Sequence, residues 1–157
     1  MCQWRRRLTH QYAIDDLVPH RVGMSFLDEV VDSDAESLHA IATIRASNPF
    51  LRNGGVSSAL GIEYMAQAIA AWAGVKAQID NEPIKLGFLV GSRDYSTTLA
   101  SFPLHARLDI FIARIVQADI GLGVFECRIE TLGESISANI NVYQPDDVAL
   151  FLQEANV

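Results

Sequence analysis

The stretch "NGGVSSALGIEYMAQAIAAWAGV", residues 53 to 75, decides the fold of this chain. Nearly every position after its two serines is apolar, and alanine or glycine recurs on several faces. A helix with this composition is covered on almost all sides, and its small side chains let other backbones come close. Ser57 or Ser58 is the expected N-cap, so the pattern predicts a long buried helix from Ser57 to Ile79.

The acidic residue of this helix is the main candidate for chemistry. Glu63 lies near the helix start, where burying a carboxylate is unfavourable unless it is paired, protonated or used. Burial among alanines and aromatic rings favours the protonated form, as a general acid requires. The structural alternative is a hydrogen-bonded glutamate favoured by the helix dipole. Gln67 follows one turn later on the same face and could orient Glu63.

The residues before the helix are a second candidate. "NGGVSS" offers a row of backbone N–H groups at a helix start, where a carbonyl oxygen or an anion could bind. Gly55, Ser57 and Ser58 are therefore candidate substrate-binding residues. A phosphate-binding loop is excluded because no Gly-Lys-Ser or Gly-Lys-Thr follows. A nucleophilic serine is disfavoured because the Gly-x-Ser-x-Gly pattern is absent.

Extended segments flank the helix on both sides. Alternation of apolar and polar residues predicts two strands before it, joined by "SDAE", and about four strands after residue 84. The last two are expected to form a hairpin around Gly133 and Glu134. The predicted strand segments are 24–32, 37–45, 84–99, 104–119, 122–132 and 135–144.

This order predicts an α+β fold in which a curved antiparallel sheet wraps one central helix. The 157 residues suit a single domain, 1–157, with a short N-terminal segment, 1–14, and a terminal helix over 145–155. One sheet covers only part of an apolar helix, so the remaining helix surface predicts a dimer.

Charge and cysteine content exclude several functions. The net charge is −7 and the pI is about 4.9, which argue against nucleic acid and anionic membranes as partners. Cys2 and Cys127 form no metal-binding spacing, so no metal is expected. The N-terminus lacks the features of a signal peptide, which predicts a cytoplasmic location. Residues 59 to 75 contain an acid and an amide, so no membrane span is expected.

Four histidines could assist an acid, namely His10, His20, His39 and His105. His39 and His105 fall in or beside strands with ordinary alternation, where a packed or surface histidine is the usual case. His20 lies in a loop after a proline, a position more typical of a catalytic group.

Several motifs together resemble the hotdog-fold 3-hydroxyacyl-(acyl carrier protein) dehydratases, and most closely the branch found in aryl-polyene biosynthesis. They are "LVPHRVGMSFLDEVVDSD", "NPF", "GIEYMAQAIAAWAG" and "GFLVGSRDY", in the family's order, and the similarity covers roughly residues 15 to 145. The combination of "PHR" with "EYMAQA" is fairly specific.

The resemblance implies roles for particular residues. Glu63 matches the family's acid on the central helix, and the backbone N–H of Ser58 matches the group that holds the thioester carbonyl. The family's loop histidine is missing, because the shortened loop "LRNGGVSS" contains none. His20 is the only histidine in a matching motif, so it is the predicted base, with Arg21 orienting it or meeting the phosphopantetheine phosphate.

The resemblance also implies the reaction and the partners. The expected activity is removal of water from a 3-hydroxyacyl thioester on acyl carrier protein, by a homodimer or an assembly of dimers and without a cofactor. Two alternatives stay open: a thioesterase of the same fold, and a non-catalytic hotdog subunit. Docking of an acidic carrier protein would need a basic patch. The candidate arginines are Arg5, Arg6, Arg7, Arg21, Arg52 and Arg93.

Overall fold

The computed structural model describes residues 13–17, 25–83, 87–118 and 120–155. His20, Arg21 and the arginines at positions 5 to 7 lie outside these ranges. The described helices are α1 (Ile14–Leu17), α2 (Gly61–Ile79) and α3 (Val148–Ala155), and a 3₁₀ turn, Ser58–Leu60, precedes α2. The strands are β1 (Glu29–Ser33), β2 (Ser37–Thr43), β3 (Gly55–Ser57), β4 (Phe88–Ser96), β5 (Ser101–Pro103), β6 (Arg107–Gln117), β7 (Leu122–Thr131) and β8 (Glu134–Tyr143).

Six strands form one antiparallel sheet in the order β1-β2-β6-β7-β8-β4, and β3 pairs with β5 in a small second sheet. In β2, β6, β7 and β8, buried residues alternate with more exposed ones, and the buried ones share one hydrophobic core with α2. One row of directly paired residues crosses four strands, and all its members are buried: Ala40, Ile110, Ile129 and Ile136. The α+β class and the sheet around a central helix are confirmed. β3 and β5 were not predicted, because each has only three residues.

Local side chains and backbone angles define the two predicted hairpins. Between β1 and β2, the Asp34 carboxylate accepts hydrogen bonds from the N–H groups of Glu36 and Ser37, both at 2.8 Å. Between β7 and β8, Leu132 and Gly133 both have positive φ, at 52° and 76°. Two such residues are typical of the tight turn that matches strand twist. The predicted turn at Gly133 and Glu134 is therefore wrong by one residue.

One hydrophobic core contains α2, the inner face of the large sheet and α1. Leu17 of α1 is fully buried, and its backbone packs on Gly74, where a Cβ would lie 2.9 Å from the Leu17 Cα. Glycine is therefore required at this point of α2. A helix near the C-terminus is confirmed in α3, whose first turn is capped by the Asp147 carboxylate accepting the Leu150 N–H at 2.9 Å.

One stripe of α2 is covered less completely than the rest of the helix. Ala59 before the helix is exposed, and the half-buried residues that continue the stripe are Ile62, Glu63, Ala66, Ala70 and Ala73. Positions spaced by three and four residues lie on the same helical face. The described part of the chain thus leaves this face of α2 partly open. Among the described residues, no helix is both long and apolar enough to cross a membrane.

Candidate active site

Glu63 lies in the first turn of α2 and is held by the next turn. Its Oε1 accepts a 3.0 Å hydrogen bond from Gln67 Nε2. Gln67 is fully buried, and its Oε1 accepts the backbone N–H of Phe26 at 2.9 Å. Because both ends of the amide are used, its orientation is fixed. The predicted contact between Gln67 and Glu63 is present in the structure.

Two described residues flank the segment that carries His20. Leu17 packs on Gly74, and Phe26 bonds to Gln67. Gly74 and Gln67 are about two turns apart and lie on the same side of α2. The chain on either side of His20 is therefore fixed to the helix that carries the candidate acid.

Two of the backbone N–H groups predicted to bind an oxygen before the helix already donate hydrogen bonds to other backbone carbonyls. Gly55 and Ser57 belong to β3, where a Cβ on Gly55 would lie 2.9 Å from the Phe102 carbonyl oxygen. The Gly55 N–H donates to the Arg52 oxygen at 3.1 Å, and the Ser58 N–H donates to the Ala100 oxygen at 3.1 Å. The row expected to be open is thus occupied by turn and strand contacts, which corrects the sequence-based interpretation.

The next backbone N–H along the chain, that of Ala59, makes a weaker hydrogen bond. The N–H of Ala59 contacts the Ser57 hydroxyl at 3.3 Å, and Ala59 is exposed. This distance is long for a hydrogen bond, and a hydroxyl can rotate away, so a ligand oxygen could replace it. Ser57 caps the 3₁₀ turn and not the long helix for which it was the expected N-cap, because the α-helix itself begins at Gly61, after Leu60.

Tyr95 is a residue of this region to which the sequence assigned no role. It comes from β4, and its hydroxyl donates to the Ser58 carbonyl at the start of the helix. A Cβ on Gly61 would collide with that hydroxyl. Burial raises the pKa of Tyr95, so the hydroxyl stays protonated at neutral pH. The sequence feature that could have pointed to Tyr95 is its place in the "GFLVGSRDY" motif.

A polar cavity of about 210 Å³ lies beside Phe26. Tyr64 borders it and is 1% exposed, and its hydroxyl accepts a 3.2 Å hydrogen bond from Asn48 Nδ2. Burial raises the pKa of Tyr64 to about 12. The cavity therefore presents a neutral phenol and an amide close to the Phe26–Gln67 contact.

Other candidate residues have structural explanations. His39 Nε2 lies 2.8 Å from an Asp109 carboxylate oxygen, and its ring stacks on Phe111 with centroids 4.1 Å apart. Burial raises the pKa of the Cys127 thiol to about 12, which makes it unreactive. Within the described ranges, no group of three or more His, Cys, Asp or Glu side chains could hold a metal ion.

Two of the candidate docking arginines can be placed. Arg52 is exposed, but its guanidinium donates to the carbonyls of Pro49 at 3.1 Å and Leu51 at 2.7 Å, so it is tied to its own loop. Arg93 is exposed on the edge strand β4. Of these two, Arg93 is the better placed to contact a partner.

An antiparallel sheet around one long helix, with an acid in the first helical turn, is the architecture of the hotdog fold. Residues 12–153 match the family model of the ApeP-like proteins, described as ApeP dehydratase. The chain therefore belongs to this family and is a dehydratase-type enzyme, as the sequence motifs predicted. No curated protein sequence matches the chain.

Solved structures agree with this assignment. A chain of the dehydratase heterocomplex ApeI:P from Xenorhabdus doucetiae is 28% identical, with a TM-score of 0.86, covering 94% of this chain and 100% of that one. A hypothetical thioesterase with coenzyme A from Streptococcus pneumoniae is 14% identical, with a TM-score of 0.56, covering 75% and 90%. The PaaI protein of E. coli is 11% identical, with a TM-score of 0.54, covering 75% and 78%. The last two likenesses concern the fold alone.

Proposed function

We propose that this dehydratase removes water from a 3-hydroxyacyl thioester carried on an acyl carrier protein, giving a trans-2-enoyl thioester in polyene-type biosynthesis. The observation that carries the proposal is the fixed position of Glu63. Gln67 holds its carboxyl group in the first turn of α2 and is itself anchored to Phe26. An acid held at the edge of a partly open helix face suits proton delivery to a substrate.

Each proton transfer of the elimination, and the charge that develops, is assigned to a group of the protein. His20 takes the C2 proton, and negative charge develops on the thioester oxygen, which the helix start stabilises through the Ala59 N–H. The bond from C3 to oxygen then breaks, and Glu63 supplies the proton that turns the leaving hydroxyl into water. One proton then passes from the protonated His20 to the Glu63 carboxylate, which returns both residues to their starting states. No metal or organic cofactor takes part.

The chain path supports His20 as the base. It lies six positions before Phe26, so the two Cα atoms are at most about 20 Å apart. Phe26 contacts Gln67, one turn from Glu63. His39 is already bonded to Asp109 on the sheet, and the loop before β3 contains no histidine. Arg21, beside His20, is the proposed contact for the phosphopantetheine phosphate, and Arg93 for the carrier protein.

A second hotdog chain completes the proposed enzyme. β4 is an outermost strand of nine residues, and it exposes Leu89 by 47% and Val90 by 61%. An exposed apolar edge strand is suited to pairing with another chain. The open stripe of α2 is a further face that a second chain could cover. The Xenorhabdus relative belongs to a heterocomplex, so a related but different chain is the proposed partner, with a second copy of this chain as the alternative.

The decisive assay compares wild-type protein with His20→Ala and Glu63→Gln, each combined with its hotdog partner. The substrates are 3-hydroxyacyl and trans-2-enoyl groups on acyl carrier protein, and the same groups on a small thiol. We expect each substitution to lower kcat by about 10²- to 10⁴-fold, as removal of a general acid or base does. His105→Asn is the matched control, because asparagine tolerates the positive φ of 73° at this exposed position.

Each competing outcome has a distinct product. Release of free thiol would identify a thioesterase, and absence of both reactions with the partner present would identify a non-catalytic subunit. Wild-type turnover by His20→Ala would remove the proposed base while leaving the reaction intact. Equal turnover of carrier-bound and small-thiol substrates would contradict recognition of the carrier protein.

A further inference from the structure

Tyr95 reaches the start of α2 because β4 contains a bulge. Arg93 pairs with Asn139, and Ser96 pairs with Ser137, so Asp94 and Tyr95 together stand opposite a single residue of β8. Asp94 has a φ of 59°, in the left-handed region that asparagine, aspartate and glycine favour. A bulge re-aims the side chain beside it. Here it accompanies a tyrosine that points from the edge strand to the helix start.

The Tyr95 hydroxyl occupies a closely fitted position. It donates to the Ser58 carbonyl, and Gly61 leaves it space that any Cβ would fill. Gly61 is buried, and the same absent Cβ would lie 3.4 Å from Ile129 Cδ1 on the sheet. The hydroxyl of the half-buried Tyr95 therefore lies against the helix start, in space that exists because residue 61 is a glycine.

This hydrogen bond acts on a particular peptide group. The carbonyl of Ser58 and the N–H of Ala59 belong to the same planar amide. A hydrogen bond donated to the carbonyl draws electron density from the amide, which makes its N–H a stronger donor. The N–H of Ser58 is already bonded to Ala100, whereas that of Ala59 has, among the described residues, only the 3.3 Å contact to the Ser57 hydroxyl.

We infer that Tyr95 is a positioning residue for the dehydration. It orients and polarises the Ser58–Ala59 peptide, whose N–H holds the thioester oxygen as negative charge develops there. The inference rests on the proposed function, because it requires an enolate-like oxygen at the helix start. β4 would then have two roles. It is the strand proposed to contact the partner chain, and it also supplies the Tyr95 hydroxyl that orients the Ser58–Ala59 peptide.

The test is Tyr95→Phe in the assembled enzyme, assayed on a 3-hydroxyacyl thioester. The aromatic ring remains and only the donated hydrogen bond is lost. We expect kcat to fall about tenfold while KM changes less than about twofold, because the polarised N–H matters most when charge develops on the oxygen. Tyr143→Phe is the matched control: it removes a hydroxyl from β8, at a position outside this contact, and should leave kcat unchanged.

The outcomes separate this inference from the proposed function. Dehydration by wild-type protein together with an unchanged kcat in Tyr95→Phe, even with a lower Tm, would make Tyr95 purely structural and overturn the inference alone. Absence of dehydration by the wild-type complex would overturn the proposed function, and the role of Tyr95 with it. A fall in kcat of the same size in Tyr143→Phe would also contradict the inference.

Discussion

At the scale of single residues, Gln67 is the most constrained polar group of the site. It is fully buried in an otherwise apolar helix, yet its oxygen accepts the Phe26 N–H and its nitrogen donates to Glu63. A buried amide is tolerated when its hydrogen bonds are made, and here the same bonds fix the candidate acid. Gln67 thus joins a structural hydrogen bond to the contact that holds the candidate acid.

Gln67→Leu should therefore reduce both the stability of the fold and the rate of dehydration. The Phe26 N–H would lose its acceptor, which should lower the free energy of unfolding by about 1–3 kcal/mol. Glu63 would lose the donor that orients it, so kcat should fall as well. Urea denaturation and the dehydration assay measure the two effects. Gln78→Leu, at an exposed position of the same helix, is the control, and an equal loss there would contradict the argument.

At the scale of elements, α2 depends on close approach of backbones. Its small residues allow α1 to lie directly on it, with the Leu17 backbone against Gly74. The sequence correctly predicted that other chain segments approach this helix closely. It could not predict which segment does so, because the contact joins residues far apart in the chain.

Gly74→Ala should destabilise the protein by about 1–3 kcal/mol, because the added Cβ meets backbone atoms that cannot move without displacing α1. Gly91→Ala makes the same chemical change on β4, where nothing lies within 4 Å of the added Cβ, and should have little effect. Thermal unfolding of the two variants is the measurement. Similar Tm values would argue against tight packing of α1 on α2.

At the scale of the whole molecule, the two edges of the large sheet differ. β1 has five residues and exposed acidic side chains, which disfavour pairing with another strand. β4 has nine residues with Leu89 and Val90 exposed. The edge formed by β4 is therefore the one suited to a second chain.

Val90→Lys should prevent assembly with the partner chain, because a charge on this edge would be desolvated by pairing. Light scattering of the purified mixture measures the stoichiometry. Val116→Lys is the control, since Val116 is 53% exposed on an interior strand, compared with 61% for Val90 on the edge. Intact assembly of the Val90 variant would place the interface elsewhere.

The candidate site was only partly predictable. Glu63 and Gln67 were identified because polar residues on an apolar helix are conspicuous and their spacing of four places them on one face. The hydrogen bonds that the N–H groups of Gly55 and Ser58 make within the fold could not be predicted, because β3 is a three-residue strand that pairs with an equally short β5. Strands this short give no periodic signal. His20 and Arg21 stay predictions.

The sequence by itself determined the α+β class, the central helix with its acid, and the family, because these depend on local periodicity and on motifs contiguous along the chain. Tertiary structure alone decided which N–H groups at the helix start are already bonded, and that Tyr95 reaches Ser58 from β4. The physical reason is that hydrogen-bond partners such as Ala100 and Tyr95 lie about 40 residues from Ser58 along the chain, and only the folded sheet brings them together.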